Sequence, residues 1–178
     1  MYNPYYSFAD SVPHTHLVGT LYYKYMSQFD DDDLFKTHSP FKDNVALVFG
    51  GHRRASASAF LFDASEFTDF PLSKLSTIEP DFMFFRENKF LINQKQTRVL
   101  GQPDLVVEIW SPSNDETERS FKYDLYSSSP VTEHWYISLE DDEVFCYYGE
   151  EQLESQNLNK PLVTRKNISL DLTRFAKT

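Results

Sequence analysis

Apolar positions recur along the chain with two periods, and the switches between them mark its elements. Leu17, Val18, Leu21, Tyr22, Tyr25, Met26 and Phe29 fall on one helical stripe, which predicts an amphipathic helix over 14–29. Four aspartates follow at 30–33. Their charge opposes the dipole at a helix C-terminus, so they open a solvated loop. Consecutive carboxylates point in different directions, which argues against a metal site there. The run NVALVFG at 44–50 predicts a strand ending in a Gly-Gly turn, with SASAFLF at 56–62 as its hairpin neighbour. EPDFMFFRE at 79–87, opened by a proline and rich in aromatics, predicts a third strand.

PDLVVEIWS at 103–111 predicts a fourth strand, apolar on both faces and therefore central and covered on both sides. Ser113 and Glu116 are spaced as a capping box, and Phe121 and Leu125 lie one turn apart. Together they predict a helix over about 114–127. Two strands, EHWYISL and EVFCYYG, follow around the acidic turn EDDE, and the tail offers one or two short edge strands. The order describes a single α/β (α+β) domain over 1–178, a mixed β-sheet flanked by helices.

Composition narrows the function. No stretch reaches the ~20 apolar residues that span a bilayer, so no membrane partner is expected. The N-terminus lacks the pattern of a signal peptide. The single cysteine, Cys146, rules out an intrachain disulfide and a cysteine-based zinc cluster and fits a cytoplasmic location. Its neighbours Phe145 and Tyr147 make it a small packed hydrophobe. The net charge of −10 is opposite to the footprint of a typical nucleic-acid binder. A polyanion must then be met by a local basic patch or through bound cations.

Within the fourth strand, alternation sets Asp104, Val106, Glu108 and Trp110 on one face and Leu105, Val107 and Ile109 on the other. Glu108 is thus a mid-strand carboxylate on a covered face, where it needs a cation or a proton. Asp81, opening the preceding strand, is a co-ligand if the two strands are neighbours. Two carboxylates with water and phosphate oxygens suit Mg²⁺, which activates water and polarises a phosphodiester. On the following helix Lys122 lies at the rim of the buried face set by Phe121 and Leu125. From there its ammonium reaches toward Glu108, where it can stabilise developing negative charge. The bland alternative is an exposed lysine paired with Glu118 one turn back. Asp104 reads as a strand-entry residue held by backbone hydrogen bonds, with metal binding a minor alternative. His134 and Trp135 read as core.

The stretch IEPDFMFF, followed by GQPDLVVEIWSPSNDETERSFKYDLYSSSPVTEHWYIS, resembles the Uma-two family of restriction endonucleases, of the restriction-endonuclease-like PD-(D/E)XK fold. The resemblance covers most of the chain and is most specific over 103–137. It implies an endonuclease using Mg²⁺ or Mn²⁺ on nucleic acid. Asp81 matches the aspartate of the PD element and Glu108 the acid of the (D/E)XK element. Trp110 stands where the lysine of that element would fall, and Lys122 matches a lysine displaced to the helix. Tyr126 matches as a packing or hydrogen-bonding partner, and His14 matches the histidine of the first helix. That helix lacks, over 14–29, the acid that many nucleases of this fold carry there.

Two local basic clusters are the candidate phosphate contacts: Arg53 and Arg54 in one loop, and Lys89, Lys95 and Arg98 between the third and fourth strands. Ordinary solvated loops are the alternative. A catalytically silent nuclease fold serving binding or assembly, as a homodimer associating through aromatic edges such as VFCYY, is the competing function. The net charge, Trp110 in the lysine slot and the acid-free first helix favour it.

Overall fold

The structure, a computed structural model, describes residues 6–29, 38–42, 45–51, 59–63, 75–86, 90–92, 95, 97–110 and 115–177. Helix α1 runs over Tyr6–Met26. It starts well before His14 because Pro13 forfeits one backbone hydrogen bond without ending the helix. Eight strands follow: β1 (His38–Lys42), β2 (Ala46–Gly50), β3 (Phe60–Leu61), β4 (Leu75–Ile78), β5 (Phe82–Arg86), β6 (Phe90–Ile92), β7 (Arg98–Gly101) and β8 (Leu105–Trp110). Helix α2 spans Glu116–Ser127. The remainder is β9 (Glu133–Ser138), β10 (Glu143–Tyr148), β11 (Glu151–Gln152), β12 (Gln156–Asn157), β13 (Leu162–Val163) and β14 (Ser169–Leu170).

The strands divide between two main sheets rather than one. The central sheet has the order β1-β5-β8-β9-β10-β11, with β12 also on β10. β8 is antiparallel to β5 and parallel to β9, which makes the sheet mixed. The second sheet has the order β3-β2-β7-β6, with β4 on β2. The basic segment between the third and fourth strands is therefore no simple loop. It contributes β6 and β7, with Lys95 in a turn and Arg98 opening β7. The hairpin partnership of β2 and β3 is as expected. The turn carrying Arg53 and Arg54, the aspartate run and Lys89 lie outside the described residues. β10 is not an edge either: β9 lies on one side and β11 and β12 on the other. No helix among the described residues is long and apolar enough to cross a membrane.

Two cores sandwich the central sheet. Leu17, Val18, Leu21 and Tyr25 of α1 pack on Leu105, Val107 and Ile109 of β8 and on Phe82 and Phe84 of β5. Each such side chain contributes about 2 kcal/mol by leaving water. On the other face Val106 and Tyr136 meet Phe121, Leu125 and Tyr126 of α2, together with Leu47, Phe49 and Val99 of the second sheet. α2 is thus wedged between two sheets. This is why the alternating face that carries Glu108 is closed off from water.

Candidate active site

Glu108 sits in the middle of β8 and is only 2% exposed. Two side chains of the following helix meet it. The Lys122 ammonium lies 2.5 Å from Oε2, and the Tyr126 hydroxyl donates to Oε1 at 2.6 Å. Both come from α2, whose N-cap is Asp115: its side chain accepts from the Thr117 amide, and Glu116 and Glu118 in the first turn suit the helix dipole. Ser113 lies outside the described residues. Helical spacing from the buried Phe121 and Leu125 turns Lys122 and Tyr126 toward β8. The Lys122 side chain stands 3.9 Å from Glu118, the pairing of the bland alternative, but is only 13% exposed.

Asp81 supplies the second carboxylate. β5 pairs with β8 through Phe82 and Val107, and continuing that register sets Asp81 opposite Glu108. Proline at position 80 ends the ladder, and the Asp81 side chain takes over its acceptor role. Its Oδ2 accepts from the Ile109 amide at 2.6 Å. Its Oδ1 lies 3.1 Å from His14 Nε2, so α1 reaches the site through His14. His14 lies within α1 rather than at its start. These residues enclose a cavity of about 120 Å³, lined also by Trp110, Glu118 and Arg119.

Burial pushes the Glu108 carboxyl up to about 7, and the Asp81 charge adds to the rise, while Lys122 and Tyr126 pull against it. Burial and the Glu108 charge drive the Tyr126 hydroxyl well above its usual range. Lys122 and the Asp81 charge thus act on the Glu108 carboxyl in opposite directions. Two adjacent carboxylates fit the habit of Mg²⁺, which takes one or two protein carboxylates and completes its shell with water and phosphate oxygens. They do not form an all-protein cage. Among the described residues no group of three or more His, Cys, Asp or Glu side chains is arranged to hold a metal.

The other predicted residues lie elsewhere. Asp104 is at the opposite end of β8, roughly 13 Å from Glu108 at the strand's rise per residue. It accepts from the Arg86 amide at 2.8 Å and meets Lys166 Nζ at 2.5 Å. It is a tied strand-entry residue and no part of the cavity. Lys95 and Arg98 are exposed and do not line the cavity either. Arg119 was not singled out in the sequence. Its only signal is its place one turn before Tyr123 and next to Glu118 on the helix that carries Lys122.

Comparison with known proteins gives a family and a fold. The family model described as "Uma2: Putative restriction endonuclease" matches residues 33–173. No curated protein matches the chain. Among solved structures, the chain is similar to one titled as a putative nuclease belonging to DUF820 from Anabaena variabilis ATCC 29413. The identity is 14% and the TM-score 0.60, over 92% of this chain and 81% of that one. That likeness establishes a shared α+β fold.

Proposed function

The chain belongs to the Uma2 family of restriction endonucleases, and on that premise we propose that it hydrolyses phosphodiester bonds of nucleic acid with a divalent cation, Mg²⁺ or Mn²⁺. The observation that carries this reading is the meeting of Asp81, Glu108 and Lys122 at one small cavity. There a buried carboxylate is balanced between a cation and a second carboxylate. Proteins of this fold generally use divalent metals. Asp81 and Glu108 would hold the ion, which when bound polarises the phosphodiester and eases deprotonation of a water.

The chain's own groups prepare the site. The Ile109 amide fixes the Asp81 carboxylate, and the Tyr126 hydroxyl fixes that of Glu108. Lys122 holds a positive charge where an attacked phosphate gains negative charge, and its position needs no rearrangement of solvent. Arg119, on the cavity wall, adds a second cation for a phosphate oxygen.

One observation favours the competing reading, a silent nuclease fold used for binding or assembly. The Asp81 and Glu108 oxygens already meet donors from His14, Ile109, Lys122 and Tyr126. A closed, neutralised cluster would look like this. Calorimetric titration of Mn²⁺ into the wild type and Glu108→Gln decides between the two. Binding that is present in the wild type and lost in a folded variant supports the nuclease. No binding in either protein supports the silent fold.

A further inference from the structure

The sheet face that carries Glu108 does not end under α2. Across the register Glu108 pairs with Tyr136, Tyr136 with Phe145, and His134 with Tyr147. Trp110 shares this face, two residues beyond Glu108. The result is a row of rings: the Trp110 and Tyr136 centroids are 4.7 Å apart, and those of Tyr136 and Tyr147 5.9 Å. α2 roofs the β8 side of the row. Its Tyr123 meets Tyr147 edge-on at 5.1 Å.

Between helix and row lies a second cavity of about 370 Å³, lined by Trp110, Arg119, Tyr123, Tyr136 and Tyr147. It shares Trp110 and Arg119 with the cavity of Asp81, Glu108 and Lys122, so the two adjoin. The Arg119 guanidinium lies over the Trp110 ring, 4.6 Å from its centroid, and so stands on the ridge between them.

Three features point to one occupant. The open volume falls in the range of small-molecule pockets, whereas aromatics that only packed α2 to the sheet would fill it. The walls are π-faces and edges with one guanidinium, a surface that takes a flat unsaturated ring. Two acids, Glu116 and Asp124, also line the aromatic cavity and not its neighbour, and a carboxylate beside a ring accepts hydrogen bonds from the amino and imino groups of a base edge.

We propose that this groove is a subsite for an unpaired nucleobase of the strand whose phosphodiester lies at Asp81, Glu108 and Lys122. The substrate is then single-stranded or locally unpaired nucleic acid, since a base stacked in a duplex cannot enter a pocket. The assignment rests on the nuclease reading above and deepens it.

The test is binding, measured by fluorescence anisotropy with Ca²⁺ in place of Mg²⁺. A short labelled single strand is compared with the same sequence as a blunt duplex and with a strand whose bases are replaced by abasic sites. The base-bearing strand is expected to bind about tenfold tighter than either. Tyr147→Leu is expected to erase most of that advantage while Mn²⁺ binding by calorimetry stays unchanged. Equal affinity for base-bearing and abasic strands, or a preference for the duplex, overturns the proposal without needing any variant. Concentration-dependent dimerisation abolished by Tyr147→Leu also overturns it, and assigns the groove to a second copy of the chain. Mn²⁺ binding without a base effect removes the groove assignment alone. A base effect without Mn²⁺ binding removes the nuclease reading and leaves the groove as a base-binding site.

Discussion

Glu108 on β8 and Glu133 on β9 are both buried in the central sheet, at 2% and 4% exposure, yet their surroundings differ in kind. Glu133 pairs with Leu105 at the far end of the β8–β9 ladder. It accepts from the Trp135 indole at 2.8 Å and from the Arg165 amide at 2.9 Å. One donor is backbone and the other a side chain that is itself fully buried. The charges that act on it, Arg165 and Lys166, are cations. Glu108 instead meets the end of a lysine and a tyrosine hydroxyl, and faces a second carboxylate across a small cavity. Burial raises both carboxyls. What separates them is the charge around them: cations alone act on Glu133, a cation and a second carboxylate on Glu108. Glu133 ties the C-terminal segment to the sheet, whereas Glu108 stands between opposing charges that a bound cation would rebalance.

Exchanging the two roles gives the largest expected effect. Glu108→Gln keeps the shape but has one acceptor oxygen for Lys122 and Tyr126, so it should lose Mn²⁺ binding and lower any cleavage rate by at least about a hundredfold, and stay folded with a smaller loss in a urea melt than the next variant. Glu133→Ala strands the Trp135 indole and the Arg165 amide without an acceptor. It should cost about 3 kcal/mol in the same melt and leave Mn²⁺ binding intact. If both variants lose stability and neither alters metal binding, Glu108 is a structural carboxylate like Glu133 and the contrast disappears.

The contrast was half visible in the sequence. Strict alternation from Asp104 to Trp110 assigned Glu108 to the face opposite Leu105, Val107 and Ile109, and helical spacing turned Lys122 toward it. Both are local periodicities that tertiary structure had only to preserve. Of the second sheet only the β2–β3 hairpin was legible. β6 and β7 lie in a polar, basic segment, and β7 finds its partner β2 in parallel from a distant part of the chain. β1 was hidden by Pro40, a residue suited to the edge position that β1 holds. Glu133 carried no signal at all, because its acceptor role depends on Arg165, far along the chain. The aromatic groove was equally invisible. It exists only once β8, β9 and β10 set Trp110, Tyr136 and Tyr147 side by side.

His134, next to Glu133 but on the opposite face, sharpens the comparison through pH. Its Nε2 faces the Gly149 carbonyl at 2.9 Å, which can only accept, so Nε2 carries the proton and Nδ1 accepts from the Tyr136 hydroxyl. The ring is thus held neutral, and burial lowers its pKa from 6.5 to about 4. A lowered folded-state value means that the unfolded chain takes up the proton first as pH falls. The stability it contributes is present above about 6.5 and is lost toward 4, by up to about 3 kcal/mol. Urea melts at pH 7 and pH 4.5 should show this loss in the wild type and a smaller one in His134→Gln. Equal slopes in the two proteins would mean that the ring charges in place, and that this part of the sheet is more open than its packing implies.

The smallest effect is expected on β8 itself, at the end away from the site. Asp104, just before β8, and Glu108 within it fall on one face by alternation, which alone treats them alike. The structure gives Asp104 a lysine too, Lys166 at 2.5 Å, but the Lys166 side chain is 43% exposed where that of Lys122 is 13%. Water screens the outer pair, and a half-exposed lysine gives up side-chain freedom to hold it. Asp104→Asn keeps an oxygen for the Arg86 amide and gives up the charge that the half-exposed Lys166 and Arg86 side chains share. It should cost no more than about 1 kcal/mol and leave Mn²⁺ binding at the wild-type value. A loss of metal binding in this variant would mean that charge anywhere along β8 tunes the ion, and the contact between Glu108 and Lys122 would cease to be the feature that marks the site.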